Sequence, residues 1–422
     1  MRPALLGLAL LAACAGSRAL APEPRAALQA AAVRGGLPVE GPLPPAALAP
    51  LAARLDAARI VGLGRPLAGG REFVALARGL LRALAWHHGV TGLALDVDVQ
   101  TGFALDAWAR GQGGDLDGLV LELDEPALRN AEVRALLGAV RELNAAPDRK
   151  VTVRIHGSDP GALDPAAEAL LAYLRAVDPD HVQLAAAALR DGDGPAVAGL
   201  PRRLDARRAE YTARSSAEQF ARARIQAEVV AQLLEQADSW SFDAPEYHRA
   251  RNVDLALQLA GPGARLLLWA ENRRVAADVP GSNPAVGEYL RKWHGPAYLA
   301  IGGLFVRGAA LVERPGPQLC PTELPPAPAG SFDAVFADLP GPALLAVPEL
   351  LRDPGLARAL RRKPAIRAIE GPYDPDDALK YNDVYKTLDA AYDALLVVPT
   401  VSAAAVAPGL GRPGPGGCVE LL

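Results

Sequence analysis

The residues able to do chemistry stand in four short groups: Gly64-Arg65-Pro66-Leu67-Ala68-Gly69-Gly70, Asp96 with Asp98, His156-Gly157-Ser158-Asp159, and Glu271-Asn272-Arg273-Arg274. Two carboxylates whose surroundings separate their pKa values can divide acid and base work between them. A histidine within reach of a proton can act as general base. Asp96, Asp98, His156, Asp159 and Glu271 are therefore the side chains on which a hydrolytic step could rest. More familiar chemistries fail on spacing. Gly62-Leu63-Gly64 has Leu67 where a dinucleotide loop needs a third glycine, and Gly70-Arg71 stands where a P-loop continues with Lys and Ser or Thr. There is no Gly-x-Ser-x-Gly elbow. Ser158 between His156 and Asp159 reads as a polar loop, because adjacency in sequence is not triad geometry. His87-His88 falls at a helix end and His181, His248 and His294 are isolated, so no zinc-ligand spacing appears and no metal or cofactor is expected.

Each chemical group follows a short apolar run. Residues 59–63, 93–97, 150–155 and 265–269 read as buried strands, and residues 297–301, 334–337, 343–347 and 393–398 as later ones. Helical patterns separate them, such as residues 71–88 with Gly89 as the cap. Continuous apolar strands alternating with helices predict an α/β fold with a mostly parallel central sheet flanked by helices. Ligands in such sheets bind beyond the carboxyl ends of the strands, so the four groups are expected to share one cleft. From about residue 164 to 260 the pattern is helical throughout, with one long stretch over 202–237, which predicts a helical insertion in a domain spanning 46–422.

The chain has 422 residues, half of them hydrophobic, enough for one large core. Its net charge is −4 with both signs dispersed, which argues against nucleic-acid binding. Arg2, an apolar run over 5–11 and the small residues Ala12-Ala13 describe a signal peptide over residues 1–13. Leu11-Ala12-Ala13-Cys14 resembles a bacterial lipobox, which implies lipidation of Cys14, membrane attachment and an envelope location. Ala15, where many inner-membrane lipoproteins carry Asp, favours the outer membrane if the source has one. Residues 14–45 are rich in Ala and Pro and are expected to form a tether, with order beginning near Ala46. Cys320 and Cys418 form either a disulfide or two buried thiols.

The order of these groups resembles the erythromycin esterase family. Ile60-Val61-Gly62-Leu63-Gly64 leading to Gly69-Gly70-Arg71-Glu72-Phe73 is similar to the family's opening motif, Gly-x-Gly-Glu-x-x-His-Gly-x-Arg-Glu-Phe. Gly92 to Asp96, Leu128 to Asn144, Val153 to Asp159, Arg249 to Asn252, Leu268 to Asn272 and Tyr392 to Val398 resemble later family segments, so the likeness runs from about Ala46 to Ala405. The resemblance implies attack of water on a carboxylic ester such as a macrolide lactone, with a histidine base supported by Glu and Arg. On that alignment the family's first Glu and His fall on Arg65 and Ala68, and its helix Arg on Ala77 with Arg78 beside it. Its second Glu falls on Asp96 and its late histidines on Glu271 and Arg274. These departures imply an impaired esterase that acts in binding an unidentified small molecule or in another envelope role, with Asp98, His156, Asp159, Arg249, Arg251 and Asn272 as further cleft candidates. Arg65 and Glu271 are expected to form an ion pair across the cleft floor, with Arg274 and Asp96 nearby. The competing reading is an active hydrolase with a rearranged acid/base pair.

Overall fold

Alternation of apolar residues over both faces of short strands requires helices on both sides, and the chain supplies them. The computed structural model describes residues 20–421 except 149–150, 239–243, 282, 315 and 317. Strands β1 (Ile60–Arg65), β2 (Gly92–Asp98), β3 (Arg154–Asp159) and β4 (Leu266–Glu271) lie parallel in the order β3-β2-β4-β1. Next to β1 runs β5 (Tyr298–Arg314), followed by β10 (Ala394–Val401) in parallel and β7 (Ala343–Ala346) in antiparallel pairing. The sheet is thus mostly parallel, as expected. Val61, Leu63, Leu267 and Trp269 face one core, while Ile60, Leu266, Leu268 and Ala270 face the other, the period-two alternation of a doubly covered sheet.

The 17-residue β5 carries more than a core strand needs. Its start pairs β1, its middle pairs β10, and from Gly308 it turns away to pair antiparallel β6 (Gln318–Leu324). Gly308 has φ +123, and a Cβ there would lie 1.9 Å from the Val401 carbonyl oxygen, so only glycine permits this departure. The resulting arm adds β11 (Gly411–Pro413) and β12 (Val419–Leu421). Cys320 on β6 and Cys418 beside β12 are disulfide-bonded, which resolves the two readings of these thiols.

Three expectations need correction. Residues 334–337 are not a strand: Asp333–Phe336 is a 3-10 turn that buries Phe332, Val335 and Phe336, a helical spacing that a short apolar run does not reveal. The long helical stretch over 202–237 is three helices, Leu200–Ala206, Arg208–Arg214 and Ala217–Asp238, because Ser215 leaves helical geometry and the Ser216 hydroxyl accepts from the Gln219 amide. Order also begins before Ala46. The Pro22–Arg34 helix, whose prolines sit harmlessly in its first turn, buries Leu28 and Ala32, and residues 35–37 hydrogen-bond the edge of β7. Signal-peptide residues and Cys14 lie outside the described residues.

The insertion is helical from Leu163–Val177 through Ala244–Ala260 and encloses its own apolar cluster around Leu170, Tyr211, Phe220 and Val230. Among the described residues no helix is long and apolar enough to cross a membrane.

Candidate active site

The carboxyl ends of β1 and β4 lie in register, Arg65 opposite Glu271, and β2 ends beside them with Asp96. The β1 turn must be tight: a Cβ on Gly69 would stand 1.8 Å from the Leu311 carbonyl oxygen, where the β5 arm crosses over. A second piece of chain closes above this turn. The Ile369 amide donates to the Pro66 carbonyl at 2.6 Å, and the hairpin of β8 (Ala365–Arg367) and β9 (Asn382–Val384) holds the segment in place.

Arg65, only 2 % exposed, stacks over Trp269 with its guanidinium carbon 5.5 Å from the ring. Its Nη2 donates to Glu125 Oε2 at 2.6 Å and lies 3.9 Å from Asp96 Oδ2. Arg274 pairs with Asp96, with Glu271 Oε2 at 3.0 Å, and with Glu246 Oε1 at 3.3 Å. Arg249 pairs with Asp159, with Glu246 Oε1 at 3.0 Å, and approaches Asp96 Oδ1 at 3.7 Å. Three guanidiniums therefore bridge five carboxylates in one continuous network. The expected Arg65–Glu271 ion pair does not form directly; Glu125 takes Arg65, and Glu271 turns to Arg274.

Burial would depress the Arg65 pKa, but the charges of Glu125, Glu271 and Asp96 outweigh it and raise the pKa. Arg274 is raised too, its burial outweighed by Asp96, Glu271 and Glu246. Burial pushes Glu125 above the usual carboxylate range. Glu370, carried in by the closing segment, is pushed up to about 8 by burial and by the Glu271 and Asp383 charges. Asp124 is raised by burial and by Asp98 and Asp159.

Six of the sequence candidates thus meet: Arg65, Asp96, Asp159, Arg249, Glu271 and Arg274. Others do not. Ala68 and Ala77 are buried apolar residues of the core, and Arg78 reaches the surface to pair with Glu40 at 3.0 Å. Asp98 caps the Val99–Ala109 helix by accepting from the Gln100 and Thr101 amides. Asn272 is fully buried and clips β4 to β5 through two hydrogen bonds with the Gly303 backbone, both 2.7 Å. Arg251 pairs with Glu228 and Asp254 away from the network. His156 sits near the start of β3 and faces a different cavity, because β3 begins four residues later than the apolar run predicts and so carries only Asp159 to the cleft. Glu125, Glu246 and Glu370 escaped the sequence reading. Glu246, three residues before Arg249 on one helix, carried a readable signal; Glu125 and Glu370 come from loops and carried none.

Among the described residues, none of the six histidines bonds to the network: His88 pairs with Asp56, His248 with Gln236 and Glu235, and His294 with Asp254. No cluster of His, Cys, Asp or Glu there has metal-binding geometry. The cavity between Arg65, Asp96 and Trp269 measures about 10 Å³, space for one water at most.

The family model for erythromycin esterase matches residues 86–401. Solved structures share the fold: a Bacillus cereus protein (18 % identity, TM-score 0.78, 91 % of this chain and 98 % of that one) and a succinoglycan biosynthesis protein (18 %, 0.71, 92 % and 100 %). A mutant of the erythromycin esterase EreC in its open conformation is a third (17 %, 0.65, 88 % and 98 %). No curated protein matches the sequence. A sheet of this order, the strand-end cluster and a match over most of the length together place the chain in the erythromycin esterase family.

Proposed function

We propose that this family member no longer hydrolyses esters by the family's route and serves instead in ligand binding or another role at the cell envelope. The observation that carries the reading is the network itself. Arg65, Asp96, Glu271 and Arg274, at the ends of β1, β2 and β4, are each committed to ion pairs, and among the described residues no histidine stands there to accept a proton from water. The positions that resemble the family's acid and base hold Arg65, Ala68, Glu271 and Arg274. Arginine stays protonated and alanine moves no proton, so loss of the general base alone costs a factor of about 100 to 10,000 in rate. Envelope attachment through Cys14 rests on the lipobox-like tetrapeptide, and the Cys320–Cys418 disulfide suits an oxidising compartment.

A second reading rests on Glu370. A carboxyl pushed up to about 8 beside the Glu271 charge is the unequal pair that acid/base hydrolysis uses. The two readings separate on incubation of the chain from Ala15 onward with erythromycin and a panel of simple esters, products followed by mass spectrometry. Silence supports the first reading. Turnover abolished by Glu370→Gln sinks it and establishes the second. A variant with Arg65→Glu, Ala68→His, Ala77→Arg, Asp96→Glu, Glu271→His and Arg274→His, if it melts cooperatively and gains hydrolysis, shows a competent scaffold that lost its chemistry.

A further inference from the structure

His156, a side chain that the strand-end network leaves unused, opens onto a second cavity. This space of about 280 Å³ lies between β3, the Val99–Ala109 helix and the two helices Ala217–Asp238 and Ala244–Ala260. It is close to the lower limit for small-molecule sites, about 300 Å³. One wall is apolar, formed by Phe103, Ile155, Ile225, Ala256 and Leu259. The other is charged, and its charges do not balance. Arg110, Arg154 and Arg222 share the two carboxylates Asp106 and Glu218, which leaves one guanidinium in excess.

That excess falls on Arg222. Asp106 is held by Arg154 at 2.8 Å and by the Ile155 amide at 3.0 Å, so its lone pairs are largely used. Arg222 reaches it only at 3.4 Å, and the Arg222 Nε stands 3.7 Å from Glu218, beyond hydrogen-bond distance. Phe103 carries the guanidinium on its ring face, 5.1 Å from the centroid, and so fixes it at the cavity wall. His156 also lines the cavity, its Nε2 buried without a hydrogen-bond partner.

We propose that this cavity binds a small monocarboxylic acid with an apolar tail, its carboxylate on Arg222 and its tail against Phe103, Ile225 and Leu259. The site is separate from the strand-end network and stands whether or not the family reaction is retained. Octanoate is a suitable probe and octanamide its neutral control, each titrated into the folded chain by calorimetry. Saturable octanoate binding, weakened about tenfold or more for octanamide and for Arg222→Gln, is the expected result. Arg222 is one third exposed, so its replacement spares the core. Ala221→Phe, which fills the cavity, provides a second block that leaves the arginine in place. Absence of saturable binding overturns the proposal. So does binding that survives both variants while both melt as the natural chain does, since the acid would then sit elsewhere.

Discussion

Arg65 has two properties that oppose each other: it is among the largest fully buried side chains, and it is charged. Its removal leaves Glu125 without its cation, while Asp96 keeps Arg274 and Arg249. Breaking a buried pair in this way costs about 3–5 kcal/mol, whereas removing both partners costs far less. Arg65→Met is expected to lower the urea midpoint accordingly, and adding Glu125→Leu to recover most of the loss. A single replacement that costs under about 1 kcal/mol would show that Arg65 is not the anchor of the network. Two other buried carboxyls set a pH dependence. Burial raises Asp333 from 3.8 to about 7, and Glu370 from 4.5 to about 8. The folded state then holds protons that the unfolded chain releases, so their stabilisation is complete below about pH 4 and lost as pH rises through 7 and 8. The urea midpoint is expected to fall between about pH 5 and about pH 8.5, by less in Asp333→Asn and less again with Glu370→Gln; equal slopes in all three chains would contradict this.

At the scale of elements, two additions at opposite ends of the chain finish the sheet. The N-terminal segment covers β7, with the Leu37 amide on the Pro342 carbonyl at 2.8 Å and the Leu344 amide on Gly35 at 2.9 Å. An uncovered strand edge invites pairing with other chains. A chain starting at Gly41 is therefore expected to aggregate and to melt lower, measured by light scattering and calorimetry; an unchanged melt would reduce the segment to decoration. The C-terminal strands β11 and β12 depend on the disulfide, which closes a loop of 98 residues. Chain-entropy arguments give about 4–5 kcal/mol for a loop near that length. Reductant is expected to lower the melting midpoint of the natural chain and to leave Cys320→Ser/Cys418→Ser, already lower, unmoved.

For the whole molecule, the body and its insertion have separate apolar clusters, and both candidate sites lie where the two meet. The strand-end network draws Glu246 and Arg249 from the insertion's last helix, and the His156 cavity lies at the seam between sheet and insertion. The proposed attachment of this chain to a membrane rests on one residue, Cys14. Expressed with its native start in a bacterial host, the chain is expected to incorporate labelled palmitate and sediment with membranes, and Cys14→Ser to do neither. Labelling that persists in the variant would disprove the lipobox reading.

Apolar periodicity alone was enough to read the parallel strands, the insertion and the carboxyl-end location of the site, because burial on both faces of a sheet leaves a pattern in consecutive residues. The same local reading named Arg65, Asp96, Asp159, Glu271 and Arg274, the family resemblance added Arg249, and the structure brings these six together. Asp98, Asn272 and His156, named the same way, lie apart from the network, since a polar side chain after a strand looks the same whether it faces a cleft, caps a helix or clips a backbone. Only the tertiary structure brought Glu125 and Glu370 to the network, bonded Cys320 to Cys418, and carried residues 22–37 onto the sheet edge. Those contacts join segments far apart in the chain, and no local spacing records which distant partner will neutralise a charge or cover an edge.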